Sequence, residues 1–227
     1  MSLTLLSVAV QAHPNRKSLL VRLLPELERA WSLRVVWDPN PSHAVPSAWR
    51  TYVECIQTGT HTPGGTHHLI IQDDAVPCRD FIPGLQAAIA AHPSRVIVAF
   101  VSGGAPRNCR RITQALLAGY SWAELDAQEW CPTVAVIYPT EMLPELLDWI
   151  EYRRLPGAQR ADDAIIGEFL AQTRYGALMT IPSLVQHPDD VPSLLGTKHW
   201  NGVAKERVAC CWIGDCSVAD IDWSRGP

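Results

Sequence analysis

Three acidic pairs and a histidine are the residues of this sequence best placed to do chemistry. Asp73 and Asp74 end an apolar run in "HHLIIQDDA", and Asp162 and Asp163 open "ADDAIIGEFLAQT". His187 follows "IPSLVQ", with Asp189 and Asp190 just beyond it. Adjacent carboxylates at the C-terminal end of a buried strand suit a hard divalent cation. Such an ion takes oxygen ligands and often borrows the rest from a substrate's phosphates. Consecutive strand residues point to opposite faces. One of Asp73 and Asp74 therefore faces a site directly, and the other supports it or reaches it through the turn. A polar turn closing a buried strand is the plainer alternative. Acids at a helix start complement the dipole and can cap it; a carboxylate held there can also act as a general base. A histidine in a polar loop reads first as a surface residue and second as a metal ligand. Asp189 and Asp190 read as solvated or capping residues.

The elements that must position these groups alternate along the chain. The apolar stretch 3–10 predicts a first strand rather than a signal peptide, since it lacks a basic start and a cleavage site. The turn "QAHPNR" leads to a helix over 17–29, and "SLRVVWD" is a second strand ending at Asp38. Ser47 can cap a helix through Thr58. "HHLII", "RVIVAFV", "PTVAVIYP" and "GALMTIPSLV" read as buried strands. Helices are expected over 80–91, in "TEMLPELLDWIEYRR" and in "ADDAIIGEFLAQT". "SGGAPRNCRR" reads as a glycine-rich basic loop, and 113–129 as a helical patch with an irregular stretch. Continuously apolar strands between helices predict an α/β fold with a mostly parallel sheet covered on both faces. Residues 1–196 form the expected domain, and 197–227 an irregular tail packing on it.

Composition narrows the class. The 227 residues carry 23 acids and 19 bases, a net charge of −4, and 47% are apolar. That apolar share excludes a disordered chain, and the mild acidity counts against a wholly basic nucleic-acid binder. No stretch approaches the roughly 18 apolar residues of a membrane span. The seven cysteines form no CxxC pair. They fit a reducing cytoplasm, and a zinc site at Cys210, Cys211 and Cys216 lacks companion ligands at zinc spacing.

The order of motifs matters more than any one of them. An acidic pair after a strand, an acid-led helix about 90 residues later and a late "SLVQH" together resemble GT-A type glycosyltransferases. The likeness is to the small lipooligosaccharide-type and phage-borne enzymes that have DDA in place of DXD, and it spans about residues 3–195. It implies a GT-A, Rossmann-like fold and a metal-dependent transfer of a sugar from a nucleotide donor, by default a UDP-sugar, to a hydroxyl acceptor. It places Ala12, His13 and Arg16 near the nucleotide, Asp38 near its base or ribose, and Arg50 near the diphosphate. Asp74, with its neighbour Asp73, and His187 are similar to the family's metal ligands, and the imidazole favours Mn²⁺ over Mg²⁺. Asp163 or Asp162 resembles the catalytic base, and an in-line attack would invert the anomeric carbon.

The acceptor is read from the remaining polar and aromatic residues. Arg107, Arg110 and Arg111 suit an anionic acceptor, of which a hydroxymethylated base in phage DNA is one. A protein or an envelope glycan is the other option. Lys205 or Arg207 could reach the donor diphosphate, and Lys198 adds to that tail patch. Nine tryptophans stand against three phenylalanines. Trp31, Trp37, Trp49 and Trp149 read as core. Trp122, Trp130, Trp200, Trp212 and Trp223 fall in irregular stretches. Of these, Trp130 or Trp200 is the expected sugar or acceptor platform. Two other classes compete. A nucleotide- or carbohydrate-binding module without turnover would bind UDP and transfer nothing. A nucleotidyltransferase would release pyrophosphate and leave "SLVQH" unexplained.

Overall fold

The computed structural model describes residues 4–40, 44–129, 132–153, 162–173, 175–188, 191, 208–214 and 216–226, with backbone alone at 44–47. The chain begins with β1 (Leu6–Ala12), a 3-10 turn (Pro14–Leu19), α1 (Leu20–Leu27) and β2 (Ser32–Trp37). Next come α2 (Ala44–Thr60), β3 (His67–Gln72), β4 (Val76–Pro77) and α3 (Phe81–Ala91). The middle holds β5 (Val96–Val98), α4 (Pro106–Leu117), β6 (Trp122–Glu124) and β7 (Ala135–Pro139). It ends with α5 (Leu143–Tyr152), α6 (Asp162–Gln172), β8 (Ala177–Thr180) and β9 (Val185–Gln186).

The main sheet has the order β2-β1-β3-β7-β5-β8-β6. Strands β1, β2, β3, β5 and β8 run one way, and β6 and β7 run against them. The apolar runs predicted this burial, because both faces of each central strand are covered. Alternation splits the core into two layers. Val8, Val10, Leu69, Ile71 and Ile137 pack with Leu23 and Leu27 of α1 and Phe81 and Leu85 of α3. Ala9, Ile70, Val136 and Tyr138 face the other way, onto Trp49 and Tyr52 of α2, Leu146 of α5 and Phe169 of α6. The sheet is thus the expected α/β sheet with helices on both faces.

Several local expectations fail for identifiable reasons. The stretch "SGGAPRNCRR" is not a loop throughout. Pro106 opens α4, so Arg107, Arg110 and Arg111 lie on its first turns. Proline at a helix start costs nothing, since its missing N–H would have had no intrahelical partner there. Within 113–129 lies an edge strand, β6, too short to leave a period. "GALMTIPSLV" is two strands, because Pro182 has no N–H to donate to a ladder. The second of them, β9, leaves the main sheet and pairs with β4. β5 is only three residues of "RVIVAFV". α2 begins at Ala44, ahead of Ser47.

The tryptophans sort differently from the pattern. Trp49 is core, but Trp31 and Trp37 are 57% and 39% exposed. They flank or end β2, which is an edge strand among the described residues. Trp122 is fully buried, its ring 4.9 Å from that of Trp223. Its indole N–H donates to the Trp223 carbonyl at 2.9 Å. The stretch 208–226 also touches the domain elsewhere. Gly103 N–H donates to the Val208 carbonyl, and Ser183 forms a bridge with Trp212. A Cβ at Gly84 of α3 would collide with Val218.

Candidate functional site

The strand order reverses between β1 and β3. From β1 the chain moves outward to β2, and from β3 it moves to the other half of the sheet. A reversal of this kind opens a crevice at the carboxyl ends of the strands, and open α/β sheets bind ligands there. The first acidic pair lies at that place. Asp73 follows β3, and its N–H donates to the Gln11 carbonyl of β1 at 3.0 Å. The Asp73 carboxylate accepts from His13 N–H at 2.7 Å and from Arg16 Nη1 at 3.2 Å. Arg16 Nη1 also reaches Asp74 Oδ2 at 2.6 Å. Asp73, Asp74 and His187 are all buried.

His187 is therefore not the surface residue its polar loop predicts. It comes directly after β9, whose pairing with β4 pulls the loop under the DDA turn. Its Nε2 lies 2.9 Å from Asp74 Oδ2, and its Nδ1 lies 3.0 Å from the Pro188 carbonyl. Gln186 fixes the approach. Its Oε1 accepts from His187 N–H at 2.9 Å and from Ala209 N–H at 2.7 Å. Sequence reasoning passed over Gln186. The only signal was its place inside "SLVQH".

Asp74 and His187 are donor types that a divalent cation accepts. Here Asp74 Oδ2 and His187 Nε2 stand 2.9 Å apart, at hydrogen-bond distance. Among the described residues no group of three His, Cys, Asp or Glu side chains could hold a metal. Among the described residues, Asp74 and His187 are the two such donors that meet on one atom pair. Asp73 turns instead toward His13 and Arg16.

The second acidic pair is tied to the first through Gln72. This last residue of β3 points to the α2 and α6 face, opposite to Asp73. Its Nε2 donates to Asp162 Oδ2 at 3.5 Å. Asp162 is buried, and it also accepts from the Thr133 hydroxyl and from Asp163 N–H at 3.1 Å. Burial raises its pKa, and these bonds pull against that rise. Asp163 is only partly covered and accepts from Ala164 N–H at 2.7 Å. Burial first, and then the Asp162 charge, push its pKa up to about 7. Asp162 is thus fixed by its partners, while Asp163 is poised to exchange a proton near neutrality. Thr133 escaped notice because it precedes β7, and β7 runs backwards. Its start, rather than its end, therefore lies at the crevice.

The other expected residues divide. Ala12 ends β1, and its carbonyl accepts from Asp38 N–H at 2.8 Å. Asp38 is buried, and its Oδ1 accepts from Asn40 N–H at 2.9 Å. These two join His13 and Arg16 at the rim of the crevice. Arg50 is exposed on α2, and among the described residues no hydrogen bond or ion pair draws it to the carboxylates. Arg107 and Arg111 both lie near Asp126 Oδ2, at 3.7 and 3.6 Å, so their charge is partly offset; Arg110 is exposed. Trp130, Trp200, Lys198, Lys205, Arg207, Asp189 and Asp190 lie outside the described residues. Among the described residues, no helix is long and apolar enough to cross a membrane.

No protein-family model matches the sequence, and no curated protein matches it. One solved structure similar to it is that of a mannose-1-phosphate geranyltransferase from Thermus thermophilus. Identity is 12% and the TM-score 0.41, over 79% of this chain and 74% of that one. At that score the likeness says nothing of the site, which stands on its own residues.

Proposed function

We propose that the protein is a metal-dependent glycosyltransferase that moves a sugar from a nucleotide-sugar donor to a hydroxyl acceptor. The observation that supports this best is the cluster of Asp74, His187, Arg16 and Asp73 in the crevice where the strand order reverses. Arg16 and the N-terminal part of the turn after β1 face the donor diphosphate. A bound Mn²⁺, held by Asp74 and His187, would offset the charge that builds on the leaving diphosphate. Asp163 takes the proton of the acceptor hydroxyl. The acceptor oxygen then bonds to the anomeric carbon as the bond to the diphosphate oxygen breaks, and the nucleoside diphosphate leaves with that electron pair. Attack from the face opposite the leaving group inverts the anomeric centre. Asp162, held by Gln72 and Thr133, fixes the helix start and keeps Asp163 basic. A UDP-sugar is the proposed donor. The exposed Arg110, beside Arg107 and Arg111, favours an anionic acceptor such as hydroxymethylated DNA.

The test is a donor screen by mass spectrometry, with and without Mn²⁺, against hydroxymethylated DNA and simple glycosides. Mn²⁺-dependent release of UDP with gain of a sugar mass on an acceptor is expected. Absence of any thermal shift with Mn²⁺ and UDP together would overturn the metal-nucleotide reading.

A further inference from the structure

The oxygen proposed as the metal ligand is already in contact with a cation. Arg16 Nη1 lies 2.6 Å from Asp74 Oδ2, the same atom that meets His187 Nε2. The guanidinium also spans to Asp73 Oδ1 at 3.2 Å, and its side chain is only 12% exposed. Two adjacent buried carboxylates need counter-charge, and Arg16 supplies some of it to both. A dication on Asp74 Oδ2 would repel that arginine at close range. Arg16 can give way without its turn coming loose. The turn is anchored separately, by His13 N–H on Asp73 Oδ2 at 2.7 Å and by Arg16 N–H on the His13 carbonyl at 2.9 Å. A diphosphate entering the crevice offers the guanidinium a forked, doubly charged partner, the chemistry at which arginine excels.

We infer that Arg16 is a resident counter-ion that guards the metal-binding oxygen of Asp74 until a nucleoside diphosphate draws it away. Metal and nucleotide then bind as a coupled pair, and the metal alone binds weakly. The inference rests on the proposed metal site, and linkage makes the coupling reciprocal.

The test measures Mn²⁺ binding to the full chain by the paramagnetic resonance of free Mn²⁺, with and without UDP. The expected result is that Arg16→Gln binds Mn²⁺ alone about tenfold more tightly than the wild type, with a correspondingly smaller gain from UDP. Equal Mn²⁺ affinity in the two proteins without UDP would overturn the inference and leave the metal site standing. If neither protein binds Mn²⁺, even with UDP, the metal site itself fails and the inference with it. If Arg16→Gln does not fold, the double variant Arg16→Gln/Asp73→Asn removes one charge of each sign and is judged by the same comparison.

Discussion

Asp73–Asp74 and Asp162–Asp163 are adjacent carboxylates at one end of one sheet, and they are neutralised by different means. The first pair meets Arg16, which bridges both residues. Burial and the Asp74 charge raise the Asp73 pKa, and the His13 N–H and Arg16 offset only part of that rise. The second pair meets neutral donors, the Gln72 amide and the Thr133 hydroxyl, among the described residues. There the unbalanced charge is met by a proton, and Asp163 holds it up to about pH 7. The two means of neutralisation match the roles proposed for the pairs, the one matched to a cation for holding a metal and the one matched to a proton for base catalysis.

The comparison breaks most visibly at Asp163. Asp163→Asn is expected to lower kcat by about 10²–10⁴-fold, the usual weight of a general base, while UDP affinity stays put. Asp74→Asn should do the reverse in binding, removing the Mn²⁺-dependent part of UDP affinity in a calorimetric titration. If Asp163→Asn weakens UDP binding instead, the two pairs do not divide the work.

A pH profile sharpens the same contrast. A base must be ionised, so kcat/KM should fall about tenfold per unit as pH drops below about 7, the Asp163 value. Asp162→Asn removes the neighbouring like charge. The acid limb should therefore move to lower pH, and a limb that stays in place assigns it to another group.

The smallest effect is on stability. The folded pKa of Asp163 is raised from its ordinary 3.8 to about 7. The native state thus holds a proton that the unfolded chain releases near pH 4. Stability from this group is full below the unfolded value and is lost as pH rises toward the folded one. Asp163→Asn has no such proton to lose, and its amide oxygen can still accept from Ala164 N–H. It should match the wild type at pH 4 and melt roughly 5 °C higher at pH 8, a difference on the order of a few kcal/mol. Equal melting at both values would mean that solvent relieves the pair.

The sheet was largely legible from sequence because burial on both faces writes itself as unbroken apolar runs. The first two strands, "HHLII" and "PTVAVIYP" lie close to where their patterns put them. What escaped was non-local. β6 is three residues long and owes its existence to β8 rather than to its own pattern. The burial of His187 depends on a two-residue pairing with β4, over a hundred positions earlier. Arg16 reads locally as a turn residue, and its pairing with Asp73 and Asp74 crosses 57 and 58 positions. The exposure of Trp31 and Trp37 follows from β2 being an edge, and strand order leaves no mark on a single strand's composition. The acids themselves were conspicuous, since carboxylates next to apolar runs are unusual.

The contact between Trp122 and Trp223 has a consequence for synthesis. The two residues are separated by 101 positions, and Ser121 is tied to the same distant stretch through Asp222 and Arg225. A nascent chain therefore displays an uncovered indole at the far edge of its sheet until residues 222–225 have emerged from the ribosome. During that interval β6 is an open strand edge beside an apolar patch, a combination prone to pairing with a neighbouring chain. Premature termination between residues 191 and 222 would leave β1, β3 and β9 in place and keep that indole uncovered.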